Sequence, residues 1–324
     1  MRAAIHDRYG GPEVLRIETV ADPVPGPGDV LVRVHRSTVN RTDCGFRAAD
    51  PVIVRAFSGL RTPKHRVLGN EFAGVVESVG AGVTRYAPGD RVFGVDQARF
   101  GANAELMLTR EDAPMATMPE GMSFDDGAAM CDGFVLAHTC LRGGGVGAGT
   151  RVLVYGATGS IGTAGVQLAH AWGAHVTAVA DTPNLGLVAS LGADEVLDRR
   201  EVDFARLGRT WDVVFDAVGR RSFWDSRRAI VPGGPYVTTD LGRFWHAPLV
   251  VLATKLTGRL GTRRALIPLP TYRRSHVEEL RQLWVEGRFR AVIDRHYPLD
   301  HIVEATRYVA SGRKVGNVVI DVTD

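Results

Sequence analysis

The chain reads as an α/β protein in which a doubly wound parallel sheet is joined to a β-rich, partly closed barrel. Three observations predict this. The first third is rich in valine, glycine and proline, with short strands between turn signals. The middle alternates short apolar strands with helices, the pattern of a parallel sheet covered on both faces. From about Tyr272 the pattern changes to amphipathic helices and a closing strand.

Taken in order, Val30 to Val34 and Ala73 to Val79 read as strands. They are punctuated by Pro23-Val24-Pro25-Gly26-Pro27-Gly28-Asp29 and by Pro88-Gly89-Asp90. After Pro119, Ser123 is placed to cap a helix, with Asp126 in the capping-box position. Val152-Leu153-Val154-Tyr155 is an apolar strand ending in glycine, followed by a helix from Gly162 to Trp172 and a second strand from His175 to Ala180. Thr182-Pro183 opens another helix, with threonine as cap and proline at its first position. Val213 to Asp216 and Tyr236 to Thr239 are further strands. Val277, Leu280, Leu283 and Trp284 share one face of an amphipathic helix, His301 to Ser311 forms another, and Val318 to Ile320 closes the chain as a strand.

Composition narrows the function. The 324 residues carry 39 basic and 36 acidic side chains spread along the chain, so no electrostatic case for a nucleic-acid partner arises. Three cysteines, Cys44, Cys131 and Cys140, are too few and unpatterned for a disulfide framework and fit a reducing cytoplasm. The N-terminus has an acid where a signal peptide needs an apolar run, and the apolar stretch at Pro248 to Ala253 stops at Lys255. A soluble cytoplasmic protein without a membrane partner is expected.

The strongest signal is Gly156-Ala157-Thr158-Gly159-Ser160-Ile161-Gly162 between a buried strand and a helix. In such a turn the first glycine allows a tight exit from the strand. The second lets backbone N–H groups approach a pyrophosphate, and the third lets the helix lie close to the sheet. The helix N-terminus adds its positive dipole. A Rossmann dinucleotide site follows, with Gly156, Thr158, Gly159, Ser160, Ile161 and Gly162 as its phosphate turn. Asp181, at the end of the second strand, is placed to accept the ribose 2′-hydroxyl of NAD. A helix-start acid favoured by the dipole is the other reading of Asp181, and both can hold.

With these residues in view, the chain resembles the medium-chain dehydrogenase/reductase superfamily, and within it the zinc-free quinone oxidoreductase and enoyl-reductase branch. The marks are Pro25-Gly26-Pro27-Gly28-Asp29-Val30-Leu31-Val32, Val39-Asn40-Arg41-Thr42-Asp43, Leu68-Gly69-Asn70-Glu71-Phe72-Ala73-Gly74, Pro88-Gly89-Asp90-Arg91-Val92, Asp212 to Gly219, and Gly316-Asn317-Val318-Val319-Ile320. The resemblance implies a GroES-like catalytic domain made of residues 1–124 and 271–324, and a Rossmann domain of residues 125–270. It also implies a homodimer and a small-molecule substrate.

Zinc-dependent members of that superfamily place a cysteine where this chain has Asn40 and a histidine where it has Asn70, so no zinc is expected here. Cys131 reads as a small buried hydrophobe. Without a Lewis acid, hydride transfer to a quinone or an α,β-unsaturated carbonyl is favoured over alcohol oxidation. Asn40, Thr42, Asp43 and Asn70 are the candidate catalytic polar groups. Local turn chemistry is the competing reading of the two asparagines, and no side chain stands out as proton donor. Val218 joins the candidate cofactor contacts. Asp181 favours NAD, whereas Arg199 is suited to the 2′-phosphate of NADP. Arg313 or Lys314 stands in for the basic residue such relatives carry before the closing strand. Phe46, Phe57, Phe244 and Trp245 are candidate pocket aromatics, although aromatic residues more often belong to a core. Metal-free alcohol/carbonyl chemistry and a non-catalytic, redox-responsive cofactor-binding protein remain as alternatives.

Overall fold

The computed structural model describes residues 1–239, 252 and 263–323. Two compact units are formed, Met1–Asp132 with Tyr272–Asp324, and Gly133–Thr271. The first stretch contributes β1 (Arg2–Ile5), β2 (Arg16–Thr19), β3 (Asp29–Val39), β4 (Glu71–Val79), β5 (Arg91–Val95), β6 (Leu106–Arg110) and β7 (Met115–Thr117). The second unit holds β8 (Arg151–Tyr155), β9 (His175–Ala180), β10 (Glu195–Asp198), β11 (Val213–Asp216), β12 (Pro235–Thr238) and β13 (Arg264–Leu266). The returning chain adds β14 (Ile293–Pro298) and β15 (Asn317–Asp321) to the first unit.

In the first unit β3 is the organising strand. One edge pairs with β4; the other is shared, with residues Asp29 to Arg33 pairing to β6 and Arg36 to Val39 pairing to β15. Irregularities between Leu31/Val32 and between Val34/Arg36 let the strand bend between partners. Its alternate residues Val30, Val32 and Val34 enter a core with Phe72, Val76, Val92, Met107, Met115, Val318 and Ile320. Burying each such side chain stabilises the unit by about 1.5–3 kcal/mol. The polar run Ile293-Asp294-Arg295-His296-Tyr297-Pro298 gives no apolar alternation. It becomes a strand because β15 offers a parallel edge and the helix Ile302–Ala310 connects the two.

The helix Phe124–Ala128, which the expected boundary after residue 124 would divide, belongs whole to the first unit. Its Phe124 ring stacks on His35 with centroids 4.3 Å apart, the Arg91 guanidinium lies 4.6 Å over that ring, and Asp125 pairs with Arg36 at 2.8 Å. Ser123 caps it by accepting from the Asp126 N–H, and the Ser123 hydroxyl donates to the Asp126 carboxylate.

In the second unit six strands run in the order β10-β9-β8-β11-β12-β13, and every neighbouring pair is parallel. The helix after β8 spans Ser160–Ala171, starting two residues earlier than the sequence suggests, because Gly159 is its extended N-cap. The helix after β9 starts differently from expectation. Asp181 holds the cap position of a short 3-10 turn, Thr182–Asn184, before the helix Leu185–Ser190, and the Thr182 hydroxyl donates to Asp198 at 2.5 Å.

Gly156 has φ +76°, and a Cβ there would lie 2.7 Å from the Val218 methyls. A Cβ on Gly162 would strike the Gly156 carbonyl oxygen and the Ala157 backbone, whereas a Cβ on Gly159 would meet nothing nearer than 3.8 Å. Gly162→Ala is therefore expected to cost about 1–3 kcal/mol and to lower the melting temperature. Gly159→Ala should melt close to the native protein. Equal losses in thermal melts of the two variants would contradict this packing.

Candidate functional site

In the second unit the segment Gly156 to Gly162 forms the turn between β8 and the helix Ser160–Ala171. The Ala157 N–H bonds back to Val179, the Gly159 N–H to the Gly156 carbonyl and the Thr163 N–H to Gly159. No side chain caps the helix Ser160–Ala171, so its first-turn amides have no side-chain acceptor. Above Gly159 the space a Cβ would fill is open. Open space beside an uncapped helix N-terminus fits a pyrophosphate. Val218 packs against Gly156 and donates its N–H to Asp216 at 3.0 Å.

Asp181 is held in a way the sequence does not reveal. Arg199 grips it through both carboxylate oxygens, Nε to Oδ1 at 2.6 Å and Nη2 to Oδ2 at 3.0 Å, and Arg200 Nε reaches Oδ1 at 3.3 Å. The acid expected to choose the ribose and the arginine expected to bind a phosphate thus form one cluster, in which Asp198 also acts on both arginines.

In the first unit the sequence candidates converge. Asn40 is the N-cap of the helix Arg41–Ala48, its Oδ1 accepting from the Asp43 N–H, while Asp43 Oδ2 accepts from the Asn40 N–H. Asp43 Oδ1 accepts from the Gly69 N–H at 3.0 Å, so this acid clamps the helix start to the segment that carries Asn70. Burial pushes Asp43 up to about 7. Asn40 Nδ2 donates to Asn70 Oδ1 at 2.7 Å and to Glu71 Oε2 at 3.4 Å. Asn70 Nδ2 donates to Gln97 Oε1 at 2.7 Å and to Asp132 Oδ1 at 3.2 Å. Both amide groups, each with two N–H bonds to give, are fully engaged by protein acceptors.

The sequence reading missed the centre of this network. Glu71 is completely buried and accepts from the Asp132 N–H at 2.8 Å and the Thr38 hydroxyl at 2.6 Å. Asp132 Oδ1 also accepts from the Tyr272 hydroxyl at 2.7 Å, and Thr42 hydrogen-bonds the same carboxylate. Burial raises both Glu71 and Asp132, and the charge of Asp132 raises Glu71 further. Lys314, pulled down to about 8 by desolvation, interacts electrostatically with Glu71 and Asp132 and donates to the Gly316 carbonyl. A signal for Glu71 was present, an acid entering the apolar run Phe72-Ala73-Gly74-Val75-Val76. None marked Tyr272.

These donors do not suit zinc. The Asn40 and Asn70 amides are tied to each other, and the Cys131 thiol, kept protonated by burial, faces the Gly127 carbonyl. Among the described residues one trio converges closely enough to hold an ion: Asp125, His296 and Asp321. Arg36 already pairs with both of its carboxylates, at 2.8 and 3.1 Å. Of the pocket aromatics, Phe46 packs on Phe100 with centroids 4.8 Å apart and Phe57 is exposed. Phe244 and Trp245 lie outside the described residues.

Glu71 gives the network a measurable pH signature. Its folded pKa, raised from 4.5 to about 8, means the native state keeps a proton that the unfolded chain has released. The resulting stability is complete below about pH 4.5 and is lost as pH rises through about 8. Glu71→Gln cannot ionise. Its melting temperature, relative to the native protein, should therefore climb between about pH 5 and about pH 9. A difference independent of pH would mean that Glu71 is ionised throughout.

Two known families match stretches of the chain. Residues 26–136 match the alcohol dehydrogenase GroES-like domain family, and residues 191–320 match the zinc-binding dehydrogenase family. The chain is 30% identical to 2-methylene-furan-3-one reductase of Solanum lycopersicum, over 99% of this chain and 79% of that protein. It is 30% identical to the trans-enoyl reductase pgmF of Aspergillus terreus, over 92% and 88%. The solved quinone oxidoreductase of Coxiella burnetii superposes with a TM-score of 0.89 at 25% identity, covering 100% of this chain and 99% of that one. A GroES-like unit with a buried polar network, a parallel-sheet unit with a glycine phosphate turn, and relatives that span nearly the whole chain place this protein in the medium-chain dehydrogenase/reductase superfamily, in its quinone oxidoreductase-like branch.

Proposed function

We propose that the protein transfers hydride from a reduced nicotinamide dinucleotide to a quinone or an α,β-unsaturated carbonyl without a metal ion. The observation that carries this reading is the Asn40–Asn70 amide pair, hydrogen-bonded at 2.7 Å and locked into buried carboxylates where a metal-dependent enzyme needs ligands. The bound nicotinamide supplies the hydride. The turn Gly156, Thr158, Gly159, Ser160, Ile161 and Gly162 binds the pyrophosphate through main-chain N–H groups, and Asp181 accepts from the ribose. An electron-poor alkene or quinone spreads the arriving charge onto oxygen. Such an acceptor needs a positioned donor rather than a Lewis acid. The relatives named quinone oxidoreductase and trans-enoyl reductase support this acceptor class. Among the described residues no helix is long and apolar enough to cross a membrane. A cytoplasmic homodimer acting on a small molecule completes the reading.

Asp181 favours NADH, but its pairing with Arg199 and Arg200 leaves two guanidinium groups ready for a 2′-phosphate once the carboxylate is removed. Asp181→Ser should shift the NADPH/NADH ratio of kcat/KM upward by ~10-fold or more, and adding Arg199→Ala should reverse much of that shift. A ratio insensitive to both would remove these residues from the cofactor site.

The reading as a whole is tested by steady-state oxidation of NADH and NADPH with quinones, enones, aldehydes and ketones, with and without chelator. Chelator-resistant turnover of quinones or enones is expected. Turnover confined to aldehydes and abolished by chelator would sink it, as would tight cofactor binding with no acceptor reduced.

A further inference from the structure

The first unit carries an apolar patch that the proposed chemistry leaves unused. Val52 is 72% exposed, Phe57 70% and Leu60 75%, and Ile53 is exposed beside them, so four large apolar side chains face water within nine consecutive positions. Hydrating such a cluster is unfavourable, and clusters of this kind mark contact surfaces. The fold displays these side chains by construction. The 3-10 turn Val52–Val54 runs directly into the helix Arg55–Ser58, so Ile53 and Phe57 stand one turn apart on the same side. The inner side is anchored. Ser58 and Gly59 are buried, and the Tyr9 hydroxyl donates to the Gly59 carbonyl at 2.6 Å and lies 2.8 Å from the Ser58 hydroxyl. The Lys64 N–H donates to the Ser58 carbonyl at 2.7 Å, closing the chain behind Leu60. Turning the apolar side inward would break these bonds.

Charge decides what the patch meets. From Pro51 to Arg66 the segment carries Arg55, Arg61, Lys64 and Arg66 and no acid. Arg66 pairs with Asp7 at 2.6 Å, whereas Arg55, Arg61 and Lys64 pair with no carboxylate among the described residues. We propose that this patch docks the protein onto an anionic phospholipid bilayer. Phe57, Leu60, Val52 and Ile53 enter the acyl boundary, and the three cations meet lipid phosphates at the level of the headgroups. Such a contact lies on the membrane and needs no spanning segment. It is therefore compatible with the lack of a long apolar helix among the described residues.

Other occupants fit less well. A second copy seated on the same patch across a two-fold axis would set these cations against their own counterparts. An acidic protein would satisfy the cations. However, apolar side chains exposed to this degree project into solvent rather than line a groove, and projecting side chains suit a deformable surface. Under the hydride-transfer reading, docking would hold the enzyme where long-chain quinones dissolve. The docking itself does not depend on that reading and is measured without turnover.

The test is flotation of the full-length protein with vesicles of phosphatidylcholine alone and of an equimolar mixture with phosphatidylglycerol. Binding to the mixed vesicles is expected, and it should weaken with added salt. Phe57→Ser with Leu60→Ser should weaken it by ~10-fold or more, and Arg61→Gln with Lys64→Gln by ~10-fold. All four side chains are exposed, so thermal melts of these variants should match the native protein. Val24→Ser, at an exposed apolar position two residues from Asp22, should bind as the native protein does. In Phe57→Trp, the added fluorescence should shift to the blue and be quenched by bromine-labelled acyl chains in the mixed vesicles. Absence of binding, equal binding to both vesicles, or binding unchanged by the Phe57 and Leu60 substitutions would overturn the proposal. So would a serine pair that dissociates a dimer in sedimentation, which assigns the patch to a second copy. Capture of the native protein by polyglutamate but not by vesicles would overturn it in favour of an acidic protein. Vesicle binding in a protein that reduces neither quinones nor enones would leave the docking standing and defeat the functional reading alone.

Discussion

Two carboxylates, Glu71 and Asp132, lie in the interior of the first unit, and much of the surrounding structure serves to meet their oxygens. A carboxylate taken out of water is costly unless donors replace its hydration. Here the donors include Thr38 near the end of β3, Asn40 at a helix cap, Thr42 in the helix it caps, Asn70 just before β4, the Asp132 main chain, and Tyr272 at the start of the returning chain. β3 and β4 must pair in one register for Thr38 and Glu71 to meet, because a slip by one residue turns every side chain to the other face. The capping box of Asn40 and Asp43 and the bond from Asp43 to Gly69 then fix the helix start against the same strand.

The asparagines join one acid to the other. Each amide carries both an acceptor and donors, so Asn40 and Asn70 form a continuous path between Glu71 and Asp132 without adding charge. That chemistry separates this site from one that coordinates a cation, where deprotonated or lone-pair ligands must point inward together. It also leaves the acids only partly compensated by Lys314. Burial, which these donors only partly offset, raises the pKa of both acids, Glu71 to about 8.

The cofactor end follows different physics. In the proposed function, main-chain N–H groups at the uncapped helix start and the open space above Gly159 recognise phosphate by shape and dipole. Under the same proposal, discrimination between the two nicotinamide cofactors rests on side-chain charge. Asp181 arrives already paired with two arginines, so its repulsion of a 2′-phosphate is softened before any ligand enters.

What the sequence determined by itself is local. The spacing of Gly156, Gly159 and Gly162, the apolar strands β8, β9 and β11, and the amphipathic helix Arg274–Val285 each depend on residues close in the chain, where steric and periodic rules act directly. Asn40 and Asn70 were legible through the motifs around them. Tertiary structure alone decided that Phe124–Ala128 packs in the first unit, that the polar run Ile293–Pro298 becomes a strand, and that Asp181 is gripped by Arg199 and Arg200. It alone brought Tyr272 to Asp132, 140 positions apart in the chain. A hydrogen bond has a range of only a few ångströms, and no periodicity or motif records which distant residue folding will bring within it.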